Sequence, residues 1–502
     1  MHISLADLLI AQGRILEAQQ ILELMKTQEV QDFTRSGQTE NKANVPLTPQ
    51  EEQIRDKSES LIAFGRKVDE CEQSNCAQIK PLQDQRDALV QQFDSEVQAI
   101  EKEFRDRNIR NVDDAALAPK DFLGQAAEIV NAQPGTVLIY PLVMENRIWL
   151  LWASRGGIVK RQEVKGVGQK QLGETVLKFR QLLQNPNSDL KELQATSKQL
   201  YDWLLKPIEA ELKANQVQNL VFSLDLSSRY IPMSALFDGE KYLIERYTVS
   251  TVLSAGYTDM SQRPSFATQN TQVLAFGLSA AKPGFNPLPN VSTELDAIVR
   301  QNPQDSRGVY SGQTFLNDRF TADTLRQNLR NYRVLHIATH GKFVPVNPDK
   351  SFLLLGDGNQ LAIPKIRTLQ NLRNIDLVVL SACETALGGA DRDGVEIAGI
   401  SSYFLRKGAA KAVMASLWLV NDASTSLSMQ QFYKNLATGT TTKAEALQKA
   451  QLSFLQGKVT AKDAPKRSDV EPKVIGSDRA PSTANFSHPY YWAPFILIGN
   501  SL

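Results

Sequence analysis

The chain has 502 residues, too many for one hydrophobic core, so two to four domains are expected. Hydrophobic residues make up 42%, and 56 Lys and Arg nearly balance 55 Asp and Glu, which leaves no global basic excess to hold nucleic acid or an anionic bilayer. The three cysteines, Cys71, Cys76 and Cys383, give no disulfide framework, no apolar run is long enough to span a bilayer, and the first residues carry no basic leader; a soluble, cytoplasmic protein is expected.

Residues 1–45 begin with Ala6, Leu9, Gly13, Glu17, Ala18 and Leu22, two amphipathic helical stretches separated by Gly13. They resemble a single tetratricopeptide unit, or read as an ordinary helical hairpin; a repeat unit buries its faces only against stacked neighbours. Residues 27–49 read as a mobile linker. Within 46–133, Leu82, Leu89, Phe93, Val97, Ile100 and Phe104 follow one another at spacings of 7, 4, 4, 3 and 4, which draws one apolar stripe along a long helix. That helix either packs on its own protein or forms a coiled coil. Cys71 and Cys76 have no histidine nearby and lack the two further ligands of a zinc site, so both read as incidental.

The texture changes at Pro134-Gly135. Val137–Met144 and Arg147–Ala153 flank Glu145-Asn146 and read as antiparallel strands, with a third after Gly156-Gly157. Helical patterns fill about 170–214. Leu220–Leu224 and Tyr247–Leu253 follow as buried strands, so 134–265 forms one α/β half.

A second α/β half covers 266–502. Its expected parallel strands are Gln272–Gly277, Arg333–Thr339, Leu377–Ala382 and Ala412–Leu419. Helical patterns at Thr293–Arg300, Thr321–Asn328, Glu396–Leu405 and Ser424–Leu436 separate them. Alternation of strand and helix predicts a parallel sheet with helices on both faces. Residues 457–487 turn polar and carry Pro465, Pro472 and Pro481, the composition of a disordered loop, and Tyr490–Gly499 adds a final strand.

Sites in parallel sheets form where loops leave the carboxyl ends of strands. His340 and Cys383 stand 43 positions apart, each directly after such a strand, and therefore project at one sheet edge. A thiol attacks a carbonyl as thiolate, so Cys383 needs a base close by, and His340 can supply it. The N–H groups of Gly341 and Cys383 are candidate oxyanion donors. His336 shares the face of His340 by the period of two but stands about 13 Å away at ~3.3 Å per residue, too far to share a metal ion, and reads as a hydrogen-bonded core histidine. No P-loop, GxGxxG or EF-hand occurs, and no metal or cofactor is expected.

An apolar strand ending Thr339-His340-Gly341, followed by one ending Ser381-Ala382-Cys383-Glu384-Thr385-Ala386-Leu387-Gly388, resembles the CHAT domain, a caspase-like family often found behind tetratricopeptide repeats. Gly408-Ala409-Ala410, Ser416-Leu417-Trp418 and His488-Pro489-Tyr490-Tyr491-Trp492-Ala493-Pro494-Phe495 extend the resemblance over about 134–500. It implies a cysteine endopeptidase of the caspase, separase and gingipain group, with Cys383 as nucleophile and His340 as base, in which an inactive half, 134–265, packs on the catalytic half, 266–502. The sequence Ser-Ala-Cys-Glu-Thr departs from the Gln-Ala-Cys motif of caspases, so caspase preference for aspartate does not carry over. In CHAT and separase peptidases an acid shortly after a Leu-Trp motif lines the substrate pocket. Asp422 holds that position, with Trp418 and Ser416 beside it, and implies cleavage after Arg or Lys. Asp422 also reads as an N-cap for the helical pattern from Ser424, and Trp418 as plain core. The partner expected is a protein substrate, with a regulatory protein held by the N-terminal helices as a second. The rival reading is a catalytically silent or latent scaffold.

Overall fold

A computed structural model of the chain describes residues 2–35, scattered positions between 71 and 92, 119–155, 158–343, 350–369, 372–381, 384–385, 401–405, 409–418, 422–460, 463 and 486–502. The chain divides into two compact units, one of residues 1–26 with 39–125, the other of 27–38 with 126–502.

Two helices open the chain, α1 (His2–Ala11) and α2 (Ile15–Arg35). Gly13 between them has φ of 80°, a left-handed turn that a side chain would strain. Ala6, Ile10, Ala18 and Leu22 are buried, as the hairpin reading requires. The expected linker from residue 27 is instead helical as far as Arg35, and no Gly or Pro stands between Ile15 and Arg35 to break the helix. Most of the long helix expected within 46–133 lies outside the described residues. Cys71 and Cys76, read as incidental, form a disulfide. A Cys76 N–H bond to the Cys71 carbonyl folds the short loop back, which brings the two Cα atoms to 5.0 Å. The cysteine count therefore gives no ground for a reducing compartment. Among the described residues no helix is long and apolar enough to cross a membrane.

The larger unit is built on one mixed sheet of 11 strands, with a second sheet of four. In chain order, α3 (Pro119–Ala132) precedes an antiparallel meander of β1 (Thr136–Val143), β2 (Arg147–Ser154) and β3 (Ile158–Lys165). Helices α4 (Gln169–Leu183), α5 (Leu190–Leu204) and α6 (Glu209–Ala214) lead to β4 (Asn219–Phe222), parallel to β1, and β5 (Thr248–Thr251), parallel to β4. The second half contributes β6 (Gln272–Gly277), α7 (Val291–Ile298), β7 (Ser311–Leu316), α8 (Ala322–Asn328) and β8 (Val334–Ala338). After the short strands β9 (Gly341–Phe343), β10 (Phe352–Leu354) and β11 (Gln360–Ala362) come β12 (Leu377–Ser381), β13 (Glu384–Thr385) and β14 (Ala412–Ser416). Helices α9 (Asp422–Leu436), α10 (Lys443–Leu455) and α11 (Pro489–Trp492) precede β15 (Phe495–Gly499). The large sheet runs β3-β2-β1-β4-β5-β15-β14-β12-β8-β6-β7, so the β5–β15 pairing joins the two halves into one continuous sheet. The small sheet, β11-β10-β9-β13, leaves directly from the carboxyl ends of β8 and β12.

The core strands β8 and β12 are buried on both faces, which is why their sequences are apolar but for His336 and Ser381. Alternate residues go to opposite cores. Val334, Ala338, Leu377, Val379 and Met414 join one cluster with α7, α9 and α10, while Leu335, Ile337, Val378, Leu380 and Val413 join the other. At the amino ends, Asp376, only 2% exposed, ties three of these strands together: Arg333 before β8 contacts its Oδ2 through Nε and Nη2 at 2.5 Å, and Lys411 before β14 contacts Oδ1 at 2.8 Å. The same parallel register then carries through to the carboxyl ends.

Candidate active site at the sheet edge

The pairing of β8 with β12 matches Ala338 with Ser381, and the Thr339 N–H donates to the Ser381 carbonyl at 3.2 Å. Pairing resumes in the small sheet, where Lys342 of β9 matches Glu384 of β13. The interval between these two pairs holds Thr339, His340 and Gly341 on one chain, Ala382 and Cys383 on the other. Cys383 itself lies outside the described residues, as does the Gly388–Gly394 segment after it. Gly341 is buried and opens β9.

His340 is fixed from the other side by the loop between β6 and α7. Its Nε2 lies 2.8 Å from the Asn286 carbonyl oxygen, and its ring centroid 5.2 Å from that of Phe285, which in turn meets Phe352 edge-on. A carbonyl only accepts, so Nε2 carries the proton and Nδ1 is the basic nitrogen of the neutral ring. The loop is anchored at its base. Asn317 Oδ1 accepts from the N–H groups of Ser279 and Ala280 at 2.9 and 3.1 Å, and Lys282 pairs with Asp318 at 3.1 Å.

The same loop reaches Asp422. Its Oδ2 accepts from Asn290 N at 2.8 Å and from Asn290 Nδ2 at 2.7 Å. Asp422 is the first residue of α9 and so sits inside the helix's first turn, where its charge suits the helix dipole, rather than ahead of it as a cap for Ser424. Ser416 and Trp418 are both buried, 3% and 2% exposed, and Trp418 Nε1 donates to the Tyr490 carbonyl at 3.3 Å. His336 is wholly buried as expected, with Nε2 2.9 Å from Glu294 Oε1 and Nδ1 3.1 Å from the Tyr433 hydroxyl. Burial first, then the nearby Tyr310 and Glu294, drives the Tyr433 hydroxyl well above its ordinary range. His488 caps α11 by accepting from Tyr490 N and contacts Ser188 Oγ, a packing role. The residues missed in the sequence are Phe285, Asn286 and Asn290. Asn286-Pro287-Leu288-Pro289-Asn290 carries only a turn signal, and nothing in its composition says which strand end it will cover.

The family model for the CHAT domain matches residues 194–500, more than half of the chain. The match starts later than the boundary near 134 expected from sequence. No curated protein sequence matches. Among solved structures, similarity is found to a Saccharomyces cerevisiae separase–securin complex (14% identity, TM-score 0.36, 89% of this chain and 27% of that chain). It is also found to the Arg-specific cysteine proteinase gingipain R (8% identity, TM-score 0.37, 66% of this chain and 74% of that chain). A complex of Porphyromonas gingivalis RgpB pro- and mature domains matches at 9% identity and TM-score 0.33, covering 66% of this chain and 76% of that chain. The chain thus spans about a quarter of the separase chain it matches. The strand-end motifs, the mixed α/β sheet that carries them and the family match agree, and the chain belongs to the CHAT domain family.

Proposed function

We propose that the chain is a cysteine endopeptidase that cuts a protein partner after Arg or Lys. The observation that carries the reading is the double register: Ala338 with Ser381 before the interval and Lys342 with Glu384 after it. His340 and Cys383 belong to the same short interval between two paired segments. In the reaction, Nδ1 of His340 takes the Cys383 thiol proton and the thiolate adds to the scissile carbonyl carbon. The N–H groups of Gly341 and Cys383 stabilise the oxyanion; His340 then returns the proton to the leaving amine, and water hydrolyses the thioester. The Asp422 carboxylate, with Ser416 and Trp418 on the adjoining strand end, selects a basic residue before the cut through charge complementarity. No cofactor enters. The N-terminal helices hold a regulatory protein.

The test is labelling with an Arg-based acyloxymethyl ketone followed by mass spectrometry. The expected result is one adduct on wild type, none on Cys383→Ala, slow labelling of His340→Ala, and loss of the Arg preference in Asp422→Asn. Wild-type protein that takes up no label, or labels equally well without His340, would refute the peptidase and leave the silent scaffold.

A further inference from the structure

On the sheet face beneath α7 and α9, His336 has apolar neighbours: Ala275 and Val379 pair with it in register, and Val334 and Ala338 stand two residues to either side. His336 and Glu294 are 0% and 1% exposed, and Tyr433 is fully buried beside them. Leu, Met and Phe at these three positions would avoid the cost of burying ionisable groups, and such replacements are commonly neutral or stabilising. Directional bonds supply what apolar contact does not, a fixed rotation and translation of each element against its neighbour. Each of the three residues also stands at a fixed step from the site. His336 lies four residues before His340 on β8 and its continuation, Glu294 four residues after Asn290, and Tyr433 three helical turns after Asp422. The Glu294 N–H further donates to the Asn290 carbonyl at 2.8 Å.

We propose that Glu294, His336 and Tyr433 are positioning residues that lock α7, β8 and α9 together, and thereby hold the Asn286–Asn290 segment against both the His340 imidazole and the Asp422 carboxylate. The catalytic consequence rests on the peptidase reading above; the positioning itself does not. Hydrogen-bond counting sets the proton order. A carboxylate accepts, so His336 Nε2–H donates to Glu294, which leaves Nδ1 of the neutral ring as the acceptor for the Tyr433 hydroxyl. With either outer partner removed, α7 loses its directional tie to β8, or α9 does, and the Asn286 carbonyl drifts from His340 Nε2.

The experiment uses full-length protein labelled with 15N-histidine. The chain has four histidines, so the ring resonances of His340 can be assigned by substitution. In its neutral ring, wild-type His340 should show the Nε2-protonated tautomer. Tyr433→Phe and Glu294→Ala should shift those ring resonances towards a mixture of tautomers, while Glu294→Gln, which keeps an acceptor for His336 Nε2–H, should restore the wild-type position. Unchanged His340 resonances in Tyr433→Phe protein with native near-ultraviolet dichroism would overturn the proposal, and that conservative variant decides alone if Glu294→Ala does not fold. A second arm reads iodoacetamide alkylation of Cys383. The rate ratio of wild type to His340→Ala should fall about tenfold when measured in the Tyr433→Phe background, since small misplacements at a reacting centre cost one to two orders of magnitude. A ratio near one already in the wild-type background would sink the peptidase reading, and the ring resonances would still judge the positioning.

Discussion

Lys443, at the start of α10, is fully buried with its ammonium 5.1 Å from the Phe266 ring centroid and bonded to the main-chain oxygen of Leu502 and to Asn500 Oδ1. Burial is the main force on it; Asp376 pulls the other way, while Lys411 and Arg333 add to the effect, and the ammonium falls from its ordinary 10.5 to about 7. Between those two values the unfolded chain binds a proton there that the folded chain does not, so stability rises with pH across the window and is lowest below about 7. At about 1.4 kcal/mol per pH unit the full span is worth about 5 kcal/mol, and the part between pH 7 and 9.5 about 3 kcal/mol. Above that range buried tyrosines act in the opposite sense. Tyr242 is pushed up to about 12 by burial, so unfolding releases its proton and stability is lost once free tyrosine begins to ionise. Urea unfolding at pH 7 and 9.5, followed by tryptophan fluorescence, suits the case, because all five tryptophans lie in the unit containing residues 126–502. Wild type should gain about 1 M in midpoint for a slope near 3 kcal/mol per M, and Lys443→Met should show a clearly smaller gain. The slope with pH is the readout, whatever Lys443→Met does to stability at any one pH. Equal gains in the two proteins would refute the reasoning.

Asp376→Asn leaves Arg333 and Lys411 without their shared partner and should cost about 3 kcal/mol in urea unfolding, with weak dependence on salt because the carboxylate is buried. Gly356→Ala would place a methyl group 1.7 Å from the Asn317 carbonyl oxygen; a loss of about 2–3 kcal/mol and faster hydrogen exchange across Ser279–Asn290 should follow, since Asn317 anchors that loop. Trp418→Ala should cost about 3–5 kcal/mol if its buried ring is core, measured by circular dichroism. A stable Trp418→Ala protein with altered peptide selectivity would instead make it a subsite wall.

The strands that became legible in the sequence are those whose burial is double-sided. The expected strand Gln272–Gly277 matches β6 at both ends, and the expected starts at Leu377 and Ala412 match β12 and β14, because parallel core strands carry mainly apolar runs. Edge and flap strands print no such run. β7 reads Ser-Gly-Gln-Thr-Phe-Leu with its residues partly or fully exposed, and β9, β10, β11 and β13 are two or three residues long, so the small sheet that brackets the candidate dyad had no signature of its own. The last strand, expected from Tyr490, starts only at Phe495; Tyr490 belongs to α11, where Pro489 at the first position and the His488 cap start a helical turn. One missed element did leave a signal: Thr442-Lys443-Ala444-Glu445 is a capping box, with Thr442 Oγ1 accepting from Glu445 N and Glu445 Oε2 from Thr442 N, and it marks the start of α10.

For the site the division is sharper. His340 and Cys383 stand out in the sequence as candidates because nucleophilic chemistry restricts residue type and strand ends restrict place. Asn286 acts through its main-chain carbonyl, which every residue type carries, so no reading of side chains could have found it. Asn290 contributes both its main-chain and side-chain nitrogen to Asp422, a role visible only once α7 and α9 are brought side by side. His336 shows how far chemistry-first reading can go. Its place on an apolar strand predicts that it is hydrogen-bonded in the core, as it is. Its partners could not be named, because Glu294 is 42 positions away and Tyr433 is 97. Each of them lies on a helix whose rotation is set by packing. A polar residue inside a core strand therefore identifies a constraint before it identifies a partner, and in this chain that constraint runs through α7, β8 and α9, which carry Asn290, His340 and Asp422 at their ends.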